Sequence, residues 1–207
     1  MADRAATFAQ KPILTGEKVV LRPFEDGDLA ALAEAVGDPE VGRLTGSFHS
    51  SADAAEPPDP DVLRDWYSTR NQQTDRLDLA VVDRATGRCV GEVVLNEWEQ
   101  DDASANFRIL LGPPGRDRGL GTEATRLVLA HAFDRLGLHR VSLEVFSFNP
   151  RARRAYEKVG FVVEGTRRDA LRFDGRWVDS VLMAVLEDEW RRHRGHPETA
   201  PPGPSAT

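Results

Sequence analysis

Apolar residues recur along this chain with two periods, and the switches between those periods mark out its elements. Val19-Val20-Leu21-Arg22-Pro23 reads as a first strand. Asp28 stands where a helix N-cap would, and Leu29, Leu32, Ala33 and Val36 then share one helical face that Gly37 closes. Ser47 to Pro60 is dominated by Ser, Ala, Asp, Glu and Pro and reads as a loop, after which Val62, Leu63, Trp66 and Tyr67 form the inward face of a second helix. Leu77, Leu79 and Val81 alternate with Asp78 and Ala80, which predicts a strand with one wetter face. Thr86-Gly87-Arg88 turns the chain, and Cys89 to Leu95 returns it as the other arm of a hairpin.

The acidic run Glu97 to Asp102 reads as a connection to a third strand of this group, in which Ala105, Phe107, Ile109 and Leu111 point one way and which Pro113-Pro114 ends. Helical spacing returns from Thr122 to about Leu136, with Val128, Leu129, Ala132, Phe133 and Leu136 inward and Gly137 as the stop. Val141, Leu143 and Val145 mark another strand. A short helix begins at Asn149, and its Ala152, Ala155, Tyr156 and Val159 fall at i, i+3, i+4 and i+7. The last unit is Val162 to Phe173, Asp174-Gly175, then Arg176 to Leu186, a type I′ hairpin pattern. The order β-α-α-β-β-β-α-β-α-β-β, with no internal repeat, predicts an α/β fold. Residues 1–15 read as a flexible N-terminal extension, 16–190 as the folded domain and 191–207 as a disordered tail rich in Pro, Gly and Thr.

Composition narrows the function classes more than the fold. At 207 residues the chain has room for one domain with a sizeable core. Its net charge of −7 argues against a nucleic-acid-binding surface, and no apolar run approaches the ~20 residues of a membrane helix. A lone cysteine, Cys89, fits a reducing cytoplasm, and the scattered histidines lack metal-ligand spacing, so no metal is expected.

Two stretches carry chemistry. Arg116-Asp117-Arg118-Gly119-Leu120-Gly121-Thr122 is a glycine-rich turn that opens a helix, where unpaired N–H groups and the positive dipole end favour an anion, and two arginines add charge. Asn149 to Phe161 is a capped helix, with Asn149 as N-cap, Pro150 in the first position and Gly160 at C′. Gly119 to Ala124 also spells G-x-G-x-x-A, with Glu144 about 20 residues on, as in a dinucleotide-binding oxidoreductase. Against that reading, Gly112 to Arg118 intervene between strand and glycines, and Glu144 lies mid-strand.

Taken together and in this order, the two stretches resemble the signature of the GNAT superfamily of acetyl-CoA-dependent N-acetyltransferases, nearest its ribosomal-protein-alanine and polyamine acetyltransferase branch. That branch is further suggested by Leu143-Glu144-Val145, Tyr156 to Gly165, Arg172, Trp177 and Asp179. The resemblance spans roughly Gly16 to Trp190 and implies the GNAT fold, a mixed twisted β-sheet with helices on both faces. It implies acetyl-CoA as co-substrate, a primary amine (a peptide or protein N-terminus, a polyamine or an amino sugar) as acceptor, and it allows a homodimer. A non-catalytic acyl-CoA sensor is the alternative.

Carried over residue by residue, Arg116, Arg118, Gly119, Gly121 and Thr122 would hold the pyrophosphate, and Asn149 the pantetheine. A backbone N–H at a bulge among Ile109, Leu110 and Leu111 would serve the oxyanion. Tyr156 would protonate the departing thiolate, a phenol of pKa about 10 against a thiol of about 8.5. Where relatives carry a glutamate base, this chain has Asn106, which accepts no proton; Glu92 and Glu97 are the fallback bases. That substitution favours an acceptor already partly neutral at pH 7, an α-amine or amino-sugar amine, over a lysine side chain. Trp66, Tyr67 and the Ser47–Pro60 loop would shape the acceptor groove.

Overall fold

The computed structural model describes residues 7–52 and 59–195. In chain order these form β1 (Leu14–Thr15), β2 (Val19–Arg22), α1 (Leu29–Val36), α2 (Pro39–Thr45), α3 (Pro60–Ser68), β3 (Leu77–Asp83), β4 (Arg88–Glu99), β5 (Ser104–Leu111), α4 (Leu120–Asp134), β6 (Arg140–Phe146), α5 (Pro150–Glu157), β7 (Val162–Phe173), β8 (Arg176–Leu186) and α6 (Glu187–Gly195). The strands make one sheet in the order β1-β2-β3-β4-β5-β6-β8-β7. Every pairing is antiparallel except β5 with β6. That pattern excludes the doubly wound parallel sheet of a dinucleotide-binding domain.

The β5–β6 pairing positions the site. The two strands are parallel neighbours only from Ser104–Asn106 against Arg140–Ser142, and beyond that they part. Phe107 to Leu111 and Glu144 to Phe146 therefore border an opening through the sheet. Each face of the sheet carries its own core. Alternate residues of β3, β4, β5 and β6, such as Leu79, Val93, Phe107 and Leu143, pack with α4, while Ala80, Val82 and Cys89 pack on the other face with Leu32 and Tyr67. Asp174 and Gly175 both have positive φ (47° and 77°), as a type I′ turn requires.

Several expectations are corrected. Asp28 does not cap α1; it lies in a 3-10 turn, takes both guanidinium nitrogens of Arg22 at 2.7 and 2.9 Å, and accepts the Glu25 N–H. Helix α2 is short and carries a glycine, so it shows no helical period, although Asp38-Pro39 at its start and Gly46 (φ 71°) at its end mark it. On α3 only Tyr67 is buried; Val62 and Trp66 are exposed, and Trp66 lies under the Arg70 guanidinium at 3.6 Å. The wetter face of β3 is covered too, and Asp78 is buried against Arg76, with both contacts at 2.7 Å.

Strand β4 runs on through Glu97 to Glu99 before the turn, so part of the acidic connection is strand. The N-terminal stretch is not a frayed extension from residue 7 onward. Phe8 is buried against Trp98 with ring centroids 4.8 Å apart, and β1 pairs with β2. Helix α6 takes in residues 191–195 of the expected tail and stacks Trp190 on Phe133; residues 196–207 lie outside the described residues, as do 53–58 of the Ser47–Pro60 loop.

Candidate active site

One cavity of about 500 Å³ occupies the opening between β5 and β6. Its wall combines the last five residues of β5, the glycine loop with the start of α4, the end of β6, the inner face of α5 and residues of α2. Of the residues singled out in the sequence, Glu92, Ile109, Leu110, Leu111, Arg116, Gly119, Gly121, Thr122, Asn149 and Tyr156 all line it. Glu97 and Arg118 do not. Glu97 is exposed, with φ 52°, at a register shift between Asn96 and Glu99, toward the far end of the β4–β5 hairpin.

The loop binds charge differently from the sequence expectation. Arg116 is turned inward, donating from Nε to Leu111 O (3.0 Å), from one terminal nitrogen to Glu40 and from the other to Asp38 (both 2.5 Å). Arg118 leans to the other side, onto buried Asp83 at 2.7 Å. Both loop guanidiniums are thus committed to carboxylates, and their work is to fix the loop. What the loop presents to the cavity is backbone. Asp117 (φ 58°) and Gly119 (φ 79°) take left-handed conformations that turn the chain into α4. Gly121 has no such φ; its lack of a side chain matters because a Cβ there would sit 3.1 Å from Leu111 Cδ1.

Glu123, in the first turn of α4, accepts the N–H groups of Glu17, Lys18 and Val19 at 2.7–2.9 Å and pins the helix start to β2. Cations without an ion-pair partner among the described residues also face the cavity from α5 and its C-cap. Arg154 and Lys158 line it and make no ion pair among the described residues, while Arg151 pairs with Asp117 at 3.2 Å. The helical periodicity could have found these two, since Arg151, Arg154, Ala155 and Lys158 fall at i, i+3, i+4 and i+7.

No bulge interrupts β5 here. It pairs with β4 residue for residue from Asn106 to Leu111, and the offset falls one strand over, beside Gly91 in β4. Gly112 N–H bonds to Val90 O at 2.9 Å, so by the antiparallel alternation Leu110 also spends its N–H on β4. Ile109 and Leu111 then turn theirs toward the opening. The oxyanion candidates reduce to those two.

Tyr156 reaches the cavity from the α4 face, packed edge-on against Phe107 and Phe161 at 6.3 and 5.8 Å. It is thus both a packing residue and a cavity residue. Burial pushes its phenol up to about 12, so it keeps its proton throughout the neutral range. Asn149 caps α5, its Oδ1 accepting from Ala152 N–H at 3.1 Å, which leaves its amide nitrogen for the cavity side. Glu92 comes from the opposite face. It pairs with Leu110 on one side and Ala80 on the other, and hydrogen-bonds the buried Tyr67 phenol. Desolvation, then the nearby Asp78 charge, hold its carboxyl above the usual range; the Tyr67 bond and Arg108 oppose this without cancelling it. Tyr67 is pushed up as well, by burial and by Glu92.

The structure thus brings together, around one opening between β5 and β6, the backbone of a glycine-rich helix start, a buried carboxyl and a buried phenol. Residues 18–162 match the acetyltransferase (GNAT) domain family, and the chain belongs to it. It is similar to "Putative ribosomal N-acetyltransferase YdaF" of Bacillus subtilis, 26% identical over 84% of this chain and 94% of that one. It also resembles spermidine N(1)-acetyltransferase of Vibrio cholerae, 32% identical over 53% of this chain and 64% of that one. The crystal structure of a Vibrio cholerae spermidine N-acetyltransferase in complex with CoA and spermine superposes with a TM-score of 0.74 at 26% identity, covering 85% of this chain and 99% of that one. The protein is therefore an acyltransferase of the GNAT family, whose members use acetyl-CoA. Among the described residues there is no cluster that could hold a metal and no helix long and apolar enough to cross a membrane.

Proposed function

We propose that this chain acetylates a primary α-amine of a peptide or protein, with Glu92 as general base and Tyr156 as general acid. The observation that carries this reading is that the parting of β5 and β6 lets groups from the two faces of the sheet meet in one cavity. Glu92 takes a proton from the acceptor ammonium, and the neutral nitrogen attacks the thioester carbonyl. The oxyanion forms beside the Ile109 and Leu111 N–H groups. Collapse breaks the C–S bond and Tyr156 gives its proton to the leaving sulfur; the extra proton on the acylated nitrogen passes through water to restore the phenol, leaving a neutral amide, and Glu92 releases its own proton to solvent. Desolvation that raises the Tyr156 phenol also raises the basicity of a thiolate beside it, so donor and acceptor stay matched.

Backbone amides of the Gly119–Thr122 stretch, with Arg154 and Lys158, would hold the CoA phosphates, and Asn149 the pantetheine arm. The base missing at Asn106, which hydrogen-bonds Asn96 at 3.0 Å, is supplied from the neighbouring strand by Glu92. An α-amine, with a pKa of about 7.7–8.0, asks least of that base. The test is release of free thiol from acetyl-CoA by the purified protein across peptides, polyamines, amino sugars and aminoglycosides. CoA binding without release on any amine would favour an acyl-CoA sensor instead.

A further inference from the structure

Beside Glu92 the cavity wall carries a cation that makes no ion pair or hydrogen bond among the described residues. Arg108 is exposed, lines the cavity, and stands diagonal to Glu92 across the β4–β5 ladder, with Val94 directly opposite. Beyond its field on Glu92, its guanidinium has no hydrogen bond or ion pair among the described residues. The carboxylates of the wall are otherwise engaged. Asp117 holds Arg151, Glu144 holds Arg167 at 2.8 Å, and Glu92 is the proposed base. A polyamine entering here would find no second carboxylate for its distal ammonium and would face Arg108 instead. A second cation lies one ring away from the lining, with Arg43 over Phe148 at 5.0 Å and Phe148 against the cavity residue Phe146 at 5.6 Å.

We propose that Arg108 is a specificity-determining residue that selects an acceptor bearing a carboxylate close to its amino group, as in a peptide whose second residue is acidic. This rests on the acetyl-transfer reading above. Fully extended chain advances about 3.3–3.6 Å per residue, so an amine at Glu92 puts the second side chain within reach of a guanidinium on the adjacent strand. Planar, bidentate recognition of a carboxylate suits arginine.

The experiment compares kcat/KM for Ala-Asp-Ala, Ala-Ala-Ala, Ala-Lys-Ala and spermidine in wild type, Arg108→Ala and Arg108→Glu. Binding of each acceptor to the CoA-loaded protein is measured by calorimetry alongside. Ratios between acceptors on one enzyme cancel any general loss of activity. Wild type should prefer Ala-Asp-Ala to Ala-Lys-Ala by tenfold or more and to spermidine by at least as much. Arg108→Ala should level the peptides, and Arg108→Glu should invert them. Equal wild-type rates on the three peptides, a preference for spermidine, or a preference that survives Arg108→Ala would overturn the proposal. Charge-selective binding with no turnover of any acceptor would uphold the subsite and sink the transfer reading.

Discussion

In the proposed reaction Glu92 and Tyr156 take opposite proton-transfer tasks, and their surroundings shift both upward for the same reason, loss of water. For Tyr156 the consequence is kinetic. Tyr156→Phe keeps the ring packed on Phe107 and Phe161 and removes only the donor, so turnover should fall by about 10²–10⁴-fold with CoA affinity nearly unchanged, read by steady-state kinetics and calorimetry. Wild-type turnover in a folded Phe variant would leave Tyr156 with packing alone. For Glu92 the raised carboxyl has a thermodynamic consequence too. Its contribution to stability is present below the unfolded carboxylate pKa and is lost as pH rises through the higher folded value. At pH 7, above the unfolded carboxylate pKa, burying this carboxyl therefore costs stability, and Glu92→Gln should raise Tm there while lowering kcat/KM. The Tm gap should shrink near pH 4, and the acid limb of the wild-type rate profile should vanish in the variant. A lower Tm at pH 7 would show that the Tyr67 bond outweighs desolvation. The placement of Asn149 and Tyr156 on the cavity wall was legible because both sit on one local helix. Glu92 was ambiguous because its environment is assembled from Tyr67 on α3 and Asp78 on β3, which no spacing rule connects to it.

Among the elements, the glycine loop shows how a correct location can come with a wrong assignment of parts. Its backbone lines the cavity as its composition implies, but the charges of Arg116 and Arg118 were read as phosphate ligands because Asp38, Glu40 and Asp83, which hold them, lie far away in sequence. Arg116 joins the end of β5 to the start of α2, and Asp38 also caps α2 by accepting the Val41 N–H. Burial alone would raise the Asp38 carboxyl, yet the Arg116 and Val41 bonds hold it below the usual range. Loss of Arg116 leaves that carboxylate half-buried without its partner. Arg116→Ala should thus cost on the order of 2–3 kcal/mol in denaturant unfolding. The parallel substitution Gly121→Asp sets a carboxylate against the helix start and should weaken CoA binding with a smaller change in stability. If Arg116→Ala abolished CoA binding in a fully stable protein, the guanidinium would be a phosphate ligand after all.

At the scale of the molecule, the alternation of strands and helices was readable from periodicity, whereas what closes the sheet was not, since the closing pieces are short or terminal. Phe8 precedes β1 in a stretch with no period to read, yet it is 2% exposed and packs on Trp98 in β4. Lys11 holds the same stretch in place by donating from Nζ to the carbonyls of Phe8 and Gln73 at 2.9 and 2.8 Å. The N-terminal segment thus reaches the α4-side core from a point remote from the cavity, with neither Phe8 nor Lys11 in its lining. Truncating a buried phenylalanine typically costs about 3–5 kcal/mol, which for a chain of this size lowers Tm by roughly 6–20 °C. Phe8→Ala should show that loss in thermal unfolding while kcat/KM, measured well below the lowered Tm, stays within about twofold of wild type. A residue in a merely flexible extension would leave Tm unmoved. A fall in kcat/KM larger than the residual unfolded fraction explains would mean that the β1–β2 turn transmits the loss through Glu123 to the glycine loop.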